Sequence, residues 1–401
     1  MHGETPRWIR ERIDALNELI REHDFKGFDP FDLPNSPLLG WIRPTWRIPQ
    51  LLLSKFGSRL APHWLRVLLR VPPIEDPKIY SCAYFAYRFL GDKYGPDARE
   101  MVLRLVALAR KHTDGVYWGY DYTWATMYDG TNRRGASTLV PSSFALFALA
   151  HEITAFNNNQ YRSTLAQALN YYRRHHQCRN PSGAFLGYFS HSRVNTHNAN
   201  LLGCAAFSCG ATILGDKKLL EVAAEAAATS LAAIDKTGFI PYNDHPRGGW
   251  TDCFHHIYVI ASLIVIQQQN PLVDRHVYQD ALDRLNVYFR TAFLRNDELI
   301  CYYPGRLDPI DPHNFAVTAL FMVLNGDDER FGTSALKLLQ RLDAMAWNSG
   351  SQRYHFQIRN RTPDDRVFLR WTQVWMFLAL SAVASAENVQ HQLTAYRAVH
   401  S

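Results

Sequence analysis

Three histidines, His197, His255 and His313, stand at or within one turn of the start of three successive segments that are too apolar to be surface helices. An imidazole changes charge near neutral pH, so it can take up and return a proton. On an apolar helix a polar group costs free energy unless it is paired or faces a cavity. Two carboxylates share these starts, Asp252 before His255 and Asp311 before His313. Asp252 lies three residues before His255 on one helical face, where it can orient or charge the ring. Each residue also has a plainer use: Asp252 can be a helix N-cap, worth about 1 kcal/mol, and a lone imidazole can be a satisfied core histidine. Recurrence at three starts favours a shared site.

Two chemistries fit these groups. One is proton transfer at a sugar carbon beside a carbonyl or carboxyl, with His255 and His313 as acid and base, Asp252 and Asp311 as their orienting partners or as acids themselves, and His197 as a further catalytic candidate. Arg247 and Arg370 would then hold the substrate's negative charge. The other is glycoside cleavage by two carboxyl groups, Asp252 and Asp311, with Asp121 or Asp244 in reserve. Trp118, Tyr120, Trp250 and Trp371 can stack on sugar faces, and Tyr242 and Gln373 join the same rim. Three histidines could in principle bind a metal, but no His-x-x-x-His or Glu-x-x-His pair supports it. Ser142 and Ser143 lack a nucleophile elbow, and no Gly-rich loop opens a helix to cradle phosphate. The expectation is no metal and no cofactor.

The elements that must position these residues form a repeat. Apolar helices are predicted from near Asp76, Pro141, His197, Asp252, His313 and Trp371, with starts 65, 56, 55, 61 and 58 residues apart. Amphipathic partners follow at Pro96–Lys111, Gln160–Arg174, Lys217–Ala233, Val273–Phe289 and Asp328–Met345. The contrast places apolar helices inside and amphipathic ones outside. Each outer helix leads to a turn and a short extended segment, such as Gly115-Val116-Tyr117-Trp118-Gly119-Tyr120, Gly183 to Tyr188 and Gly238 to Tyr242. Six such pairs predict an all-α (α/α)6 toroid, a six-hairpin barrel, over residues 76–401, with an N-terminal helical cap over 1–75. A HEAT-type solenoid has shorter periods and more uniform loops. The sixth outer helix is left open between Glu387–Val399 and the N-terminal region. Alternation gathers the inner-helix starts at one rim.

Composition allows this. The 401 residues are 47% hydrophobic and 20% charged, with net charge +6 and an aromatic share of 13%. Six scattered cysteines, Cys82, Cys178, Cys204, Cys209, Cys253 and Cys301, read as free buried residues without structural zinc. No apolar signal region follows Met1, and no stretch approaches the roughly 20 apolar residues of a membrane span, so a cytoplasmic protein is expected. Residues 33–74 carry no acid but six bases interleaved with Trp41, Trp46 and Trp64. That stretch reads as a packed cap with a solvated basic face, or as a peripheral contact with the inner face of an anionic membrane. Mild charge and the absence of any nucleic-acid motif argue against nucleic acid.

Several strings occur in order: Gly27-Phe28-Asp29-Pro30-Phe31-Asp32, Trp118-Gly119-Tyr120, His197-Asn198-Ala199-Asn200-Leu201-Leu202-Gly203, Trp250-Thr251-Asp252-Cys253-Phe254-His255, Asp308-Pro309-Ile310-Asp311-Pro312-His313 and Arg370-Trp371-Thr372-Gln373-Val374-Trp375-Met376. The set resembles six-hairpin toroid proteins found with bacterial exopolysaccharide and capsule biosynthesis functions. More loosely it is similar to the glucuronyl C5-epimerase C-terminal domain, the N-acylglucosamine 2-epimerases and the unsaturated glucuronyl hydrolases. The resemblance implies the toroid and a polysaccharide setting, though fold does not fix chemistry. Such proteins often have Thr where this chain has His256. The expected function is a carbohydrate-active enzyme, foremost an epimerase acting on an acidic or amino-sugar oligo- or polysaccharide. A hydrolase or lyase on the same rim is the alternative, and a non-catalytic glycan-binding scaffold beside a membrane synthase is the third reading.

Overall fold

The computed structural model describes residues 5–43, 45–325 and 334–386. Six inner helices recur as the sequence repeat predicts: α4 (Pro77–Phe89), α6 (Leu139–Ala155), α8 (His197–Leu214), α10 (Cys253–Gln269), α12 (Pro312–Asn325) and α14 (Val374–Ala384). Each is buried on nearly all sides, as its lack of a polar face demands. They touch in the cyclic order α4, α6, α8, α10, α12, α14 and back to α4, which closes a ring. The outer helices α5 (Gly95–Leu108), α7 (Arg162–His175), α9 (Lys217–Leu231), α11 (Arg275–Ala292) and α13 (Ala335–Ala346) each pack on the inner helix before them. The chain is an (α/α)6 toroid.

The sixth outer helix comes from the N-terminal region. Helix α1 (Arg7–Glu22) turns Ile9, Ile13, Leu16 and Ile20 into the common core and packs on α14. Glu387–Val399, the other candidate, lies outside the described residues, as does the predicted start of the fifth outer helix at Asp328.

The recurring extended segments are mostly hairpins. Residues 110–112 pair with 115–117, 177–180 with 183–186, 294–295 with 299–300, and 347–348 with 353–354. Their glycines are required by the packing of successive repeats. Gly115 has φ +144° and Gly238 has φ +87°, and a Cβ on either would fall 2.0 or 2.1 Å from a carbonyl oxygen of the next outer helix, Gln167 or Arg284.

Two further helices, α2 (Arg47–Arg59) and α3 (His63–Leu68), lie across the rim. They are pinned by a buried guanidinium: Arg66 donates to Asp32 at 2.9 Å and to the carbonyls of Ala61 and Gly57 at 2.6 and 3.0 Å. From the ring side Arg366 donates to the carbonyls of Gly57 and Ser58, and His63 Nε2 accepts the Val367 N–H.

Candidate active site

The first turn of α10 is organised by Asp252. Its Oδ1 accepts the His255 backbone N–H at 3.0 Å and caps the helix, while Oδ2 lies 2.9 Å from His255 Nδ1. With Nδ1–H donated to a carboxylate, the neutral ring keeps its lone pair on Nε2. Nε2 has no hydrogen bond among the described residues, and the His255 side chain is 19% exposed while Asp252 is buried. Tyr242 and Trp250 stack on each other at 4.5 Å, Tyr242 lies 4.9 Å from the imidazole, and Phe254 covers it at 3.9 Å.

The first turn of α12 uses the same cap with a different electrostatic result. Asp311 Oδ1 accepts the His313 N–H at 2.9 Å, and Gln357 donates to Oδ2 at 2.5 Å. Burial nevertheless raises the Asp311 pKa to about 7, outweighing those two hydrogen bonds, and the Asp252 charge adds to the rise. Near neutral pH Asp311 therefore carries a proton for much of the time. His313 is buried against Phe254, Trp371 and Trp375 at 4.7, 5.8 and 5.0 Å. Burial, with the charges of Lys78, His255 and Arg370, holds its pKa well below the usual imidazole range. Its Nε2 is 3.4 Å from the Tyr258 hydroxyl, and its Nδ1 has no partner among the described residues.

Beside His313 stands Lys78, in the first turn of α4. Its ammonium lies 4.9 to 5.9 Å from the rings of Trp375, Phe144, Tyr258 and Trp371. It is buried, with neither a hydrogen bond nor an ion pair among the described residues. Burial, then the Arg370 charge, lowers its pKa to about 8. The sequence reading overlooked Lys78, although a charge in the second position of an otherwise apolar helix is the same signal that drew attention to His255.

Arg370, expected to clamp a substrate anion, is already matched by the protein. It donates to Asp29 and, at 3.0 Å, to the Tyr122 hydroxyl, lies 3.4 Å from Asp76, and spans the faces of Tyr120 and Trp371, each at 4.8 Å. Asp29 also accepts the Trp371 indole N–H at 3.1 Å. The Gly27–Asp32 string thus holds the Arg370-Trp371 string in place.

Other expected site residues have structural partners. Trp118 is fully buried and donates its indole N–H to Leu105 O at 2.8 Å, which leaves no face for a sugar. Tyr120 is buried against the Tyr188 hydroxyl at 3.0 Å. Asp121 pairs with Arg134 at 2.8 Å. Gln373 clamps the Tyr354 backbone through both amide atoms, at 3.2 and 2.7 Å. His197 bonds Ser230 at 3.0 Å, with burial lowering its pKa to about 4, and His256 bonds Leu285 O at 3.0 Å in the core. Arg247 is exposed on the loop that carries Trp250. Asp244 bonds the Asn195 backbone N–H at 3.0 Å.

Two clefts open at the rim, divided by Phe31 and roofed by α2. One, of about 240 Å³, reaches Trp250 and Tyr242 past Trp124 and Tyr128, beneath Leu51, Ser54 and Lys55 of α2. The other, of about 200 Å³, reaches Asp311, Tyr303 and Trp371 beneath Ser58 and Arg59, with Arg359 on its wall. Tyr303 links them, its ring 6.3 Å from Trp250. Among the described residues one group could hold a metal ion: His112, Asp114 and His175, with ligand atoms within 4.8 Å of one another. It sits on a hairpin and the outer helix α7, where Arg174 already pairs with Asp114 at 2.9 Å.

Comparison with solved structures decides the architecture. The chain is a six-hairpin toroid. It is similar to a cellobiose 2-epimerase from Bacillus thermoamylovorans, with TM-score 0.58 and 12% identity over 77% of this chain and 88% of that one. An α-mannanase of glycoside hydrolase family 76 from Bacteroides thetaiotaomicron gives TM-score 0.56 and 12% identity over 78% and 85% of the two chains. A family 88 glycosyl hydrolase from Bacteroides vulgatus gives 0.54 and 12% over 96% and 99%. No protein family matches the sequence, and no curated protein does.

Proposed function

We propose that this toroid is a carbohydrate-active enzyme of polysaccharide biosynthesis or modification, and that it epimerises an acidic or amino-sugar residue by proton transfer. The observation that carries the reading is the His255 ring, fixed by Asp252 through Nδ1 with Nε2 free. That nitrogen takes the proton from the sugar carbon, and Asp252 stabilises the imidazolium that forms. Asp311, protonated near neutrality, supplies the acid. Positive charge for an anionic sugar comes from Arg59 and Arg359 on the wall of the Asp311 cleft, in place of Arg370. Trp250, Tyr242 and Trp371 provide the stacking faces. Epimerase and hydrolase chemistry both occur on the toroids it is similar to.

One specific observation favours glycoside cleavage as the second reading. Asp311 with its raised pKa near the charge of Asp252 is a protonated and an ionised carboxyl on one rim, the pairing that glycosidases use. Incubation of uronate- or hexosamine-containing oligosaccharides in deuterated water separates the two. Solvent deuterium at a sugar carbon in an uncleaved chain supports epimerisation; new reducing or unsaturated ends without such label would exclude it.

A further inference from the structure

The two helices over the rim are built inside out. The residues α2 turns inward and buries are Gln50, Ser54 and Gly57, while Ile48, Leu52 and Phe56 form a stripe at four-residue spacing on its exposed face. Helix α3 buries Arg66 and exposes Trp64, Val67 and Leu68. Trp41, Ile48, Leu52, Leu60, Trp64, Val67 and Leu68 are each 62% to 71% exposed. Water is the wrong medium for such a surface, since apolar patches of this kind mark sites of interaction. The polar side of both helices is already used: Gln50 donates to Ile42 O at 3.1 Å and Arg66 is the buried pin of the cap.

We propose that residues 38–43 and 45–70 dock on the surface of an anionic lipid bilayer. The occupant is set by charge. Arg43 and Arg70 are exposed on this stretch, Arg47, Lys55 and Arg59 are exposed at the cleft mouths along its edge, and no acid occurs from residue 33 to 74. A second copy would set cations against cations, whereas anionic headgroups match them, each Lys or Arg near such a surface contributing about 1 kcal/mol. Tryptophans at the level of the headgroups complete an interfacial face. No helix among the described residues is long and apolar enough to cross a membrane, so the contact lies in the plane of the interface. Because α2 also roofs both clefts, docking brings their mouths beside the bilayer surface. The inference does not depend on the sugar chemistry.

The test is co-sedimentation of the full chain with vesicles of zwitterionic phosphatidylcholine alone or mixed with anionic phosphatidylglycerol. Binding is expected only with the anionic lipid, weakening as salt rises. The triple variant Leu52→Glu, Leu60→Glu, Leu68→Glu alters only exposed side chains. It should retain the far-ultraviolet dichroism and melting temperature of the parent and lose at least about tenfold in vesicle binding. Independently, bromine-labelled lipid should quench part of the tryptophan emission of the unaltered protein. Failure of the parent to bind anionic vesicles overturns the proposal. So does equal binding by the triple variant, or a salt-stable dimer in sedimentation that the triple variant abolishes.

Discussion

Asp252 meets His255 twice, through the backbone N–H at 3.0 Å and through Nδ1 at 2.9 Å, so one carboxylate both starts a helix and fixes an imidazole. The two duties can be separated. Asp252→Asn keeps an N-cap acceptor but removes the charge that would stabilise an imidazolium. Turnover should fall while the melting temperature stays nearly constant. Asp252→Ala should lose about 1 kcal/mol of stability as well.

His255→Ala removes the proposed base, whose ring lies at the rim, 19% exposed, beside the common core. Turnover in the deuterium assay should fall roughly 10²- to 10⁴-fold with little change in thermal unfolding. Full activity in this variant would remove His255 from the chemistry and leave Asp311 and Asp252 as the acting pair.

Asp311 carries a folded pKa of about 7, above the 3.8 of an ordinary aspartate. The folded state therefore binds the extra proton between those values. Its contribution to stability is fully present below about pH 4 and is lost as pH rises through 7. Denaturant titrations at several pH values should show this decline in the parent, and Asp311→Asn should flatten it. Activity that needs the Asp311 proton should fall on the alkaline side of the same pKa.

Lys78 shows the opposite sense. Its folded pKa of about 8 lies below the usual 10.5, so the unfolded state binds more protons between them. Stability from this group should rise as pH climbs from about 8 to 10.5. Lys78→Met should abolish that rise and leave the protein as stable or more so at neutral pH, because a buried ammonium without an ion pair is replaced by an apolar chain of similar length. A loss of activity in this stable variant would place the charge in the chemistry; unaltered turnover would leave Lys78 a core residue held by its aromatic box.

Asp29→Asn should behave differently from all of these. It removes the carboxylate that accepts from both Arg370 and Trp371 and leaves a buried guanidinium with the Tyr122 hydroxyl and a single carboxylate, Asp76 at 3.4 Å, among the described residues. A loss of about 3 to 5 kcal/mol is expected, read as a fall in denaturation midpoint.

The ring was legible in the sequence because its cause is periodic. Inner helices must be apolar on every side, outer ones on one, and the alternation survives any loop variation. Asp252 and His255 were legible for a local reason, a cap and an i,i+3 pair. Asp29 and Arg370 were not: 341 positions separate them, and a buried ion pair leaves no spacing to read. Trp118 misled because an aromatic in a loop looks the same whether it faces a groove or donates its N–H to Leu105 inside the core. The basic stretch before α4 could be read either as a solvated cap or as a membrane contact, since only coordinates reveal that its apolar side points outward.

The closure of the ring by α1 carries a consequence for how the protein is made. Thr5 donates to Ala384 O at 3.0 Å across 379 positions, so α1, made before every hairpin of the ring, has its seat on α14. At about 5–20 residues per second of synthesis, Ile9, Ile13, Leu16 and Ile20 wait tens of seconds with no groove to enter. Five hairpins can assemble in the meantime as an open horseshoe with two raw faces. The newborn chain keeps that apolar surface uncovered until α14 emerges, and a fragment ending short of residue 374 should be aggregation-prone whatever its catalytic residues.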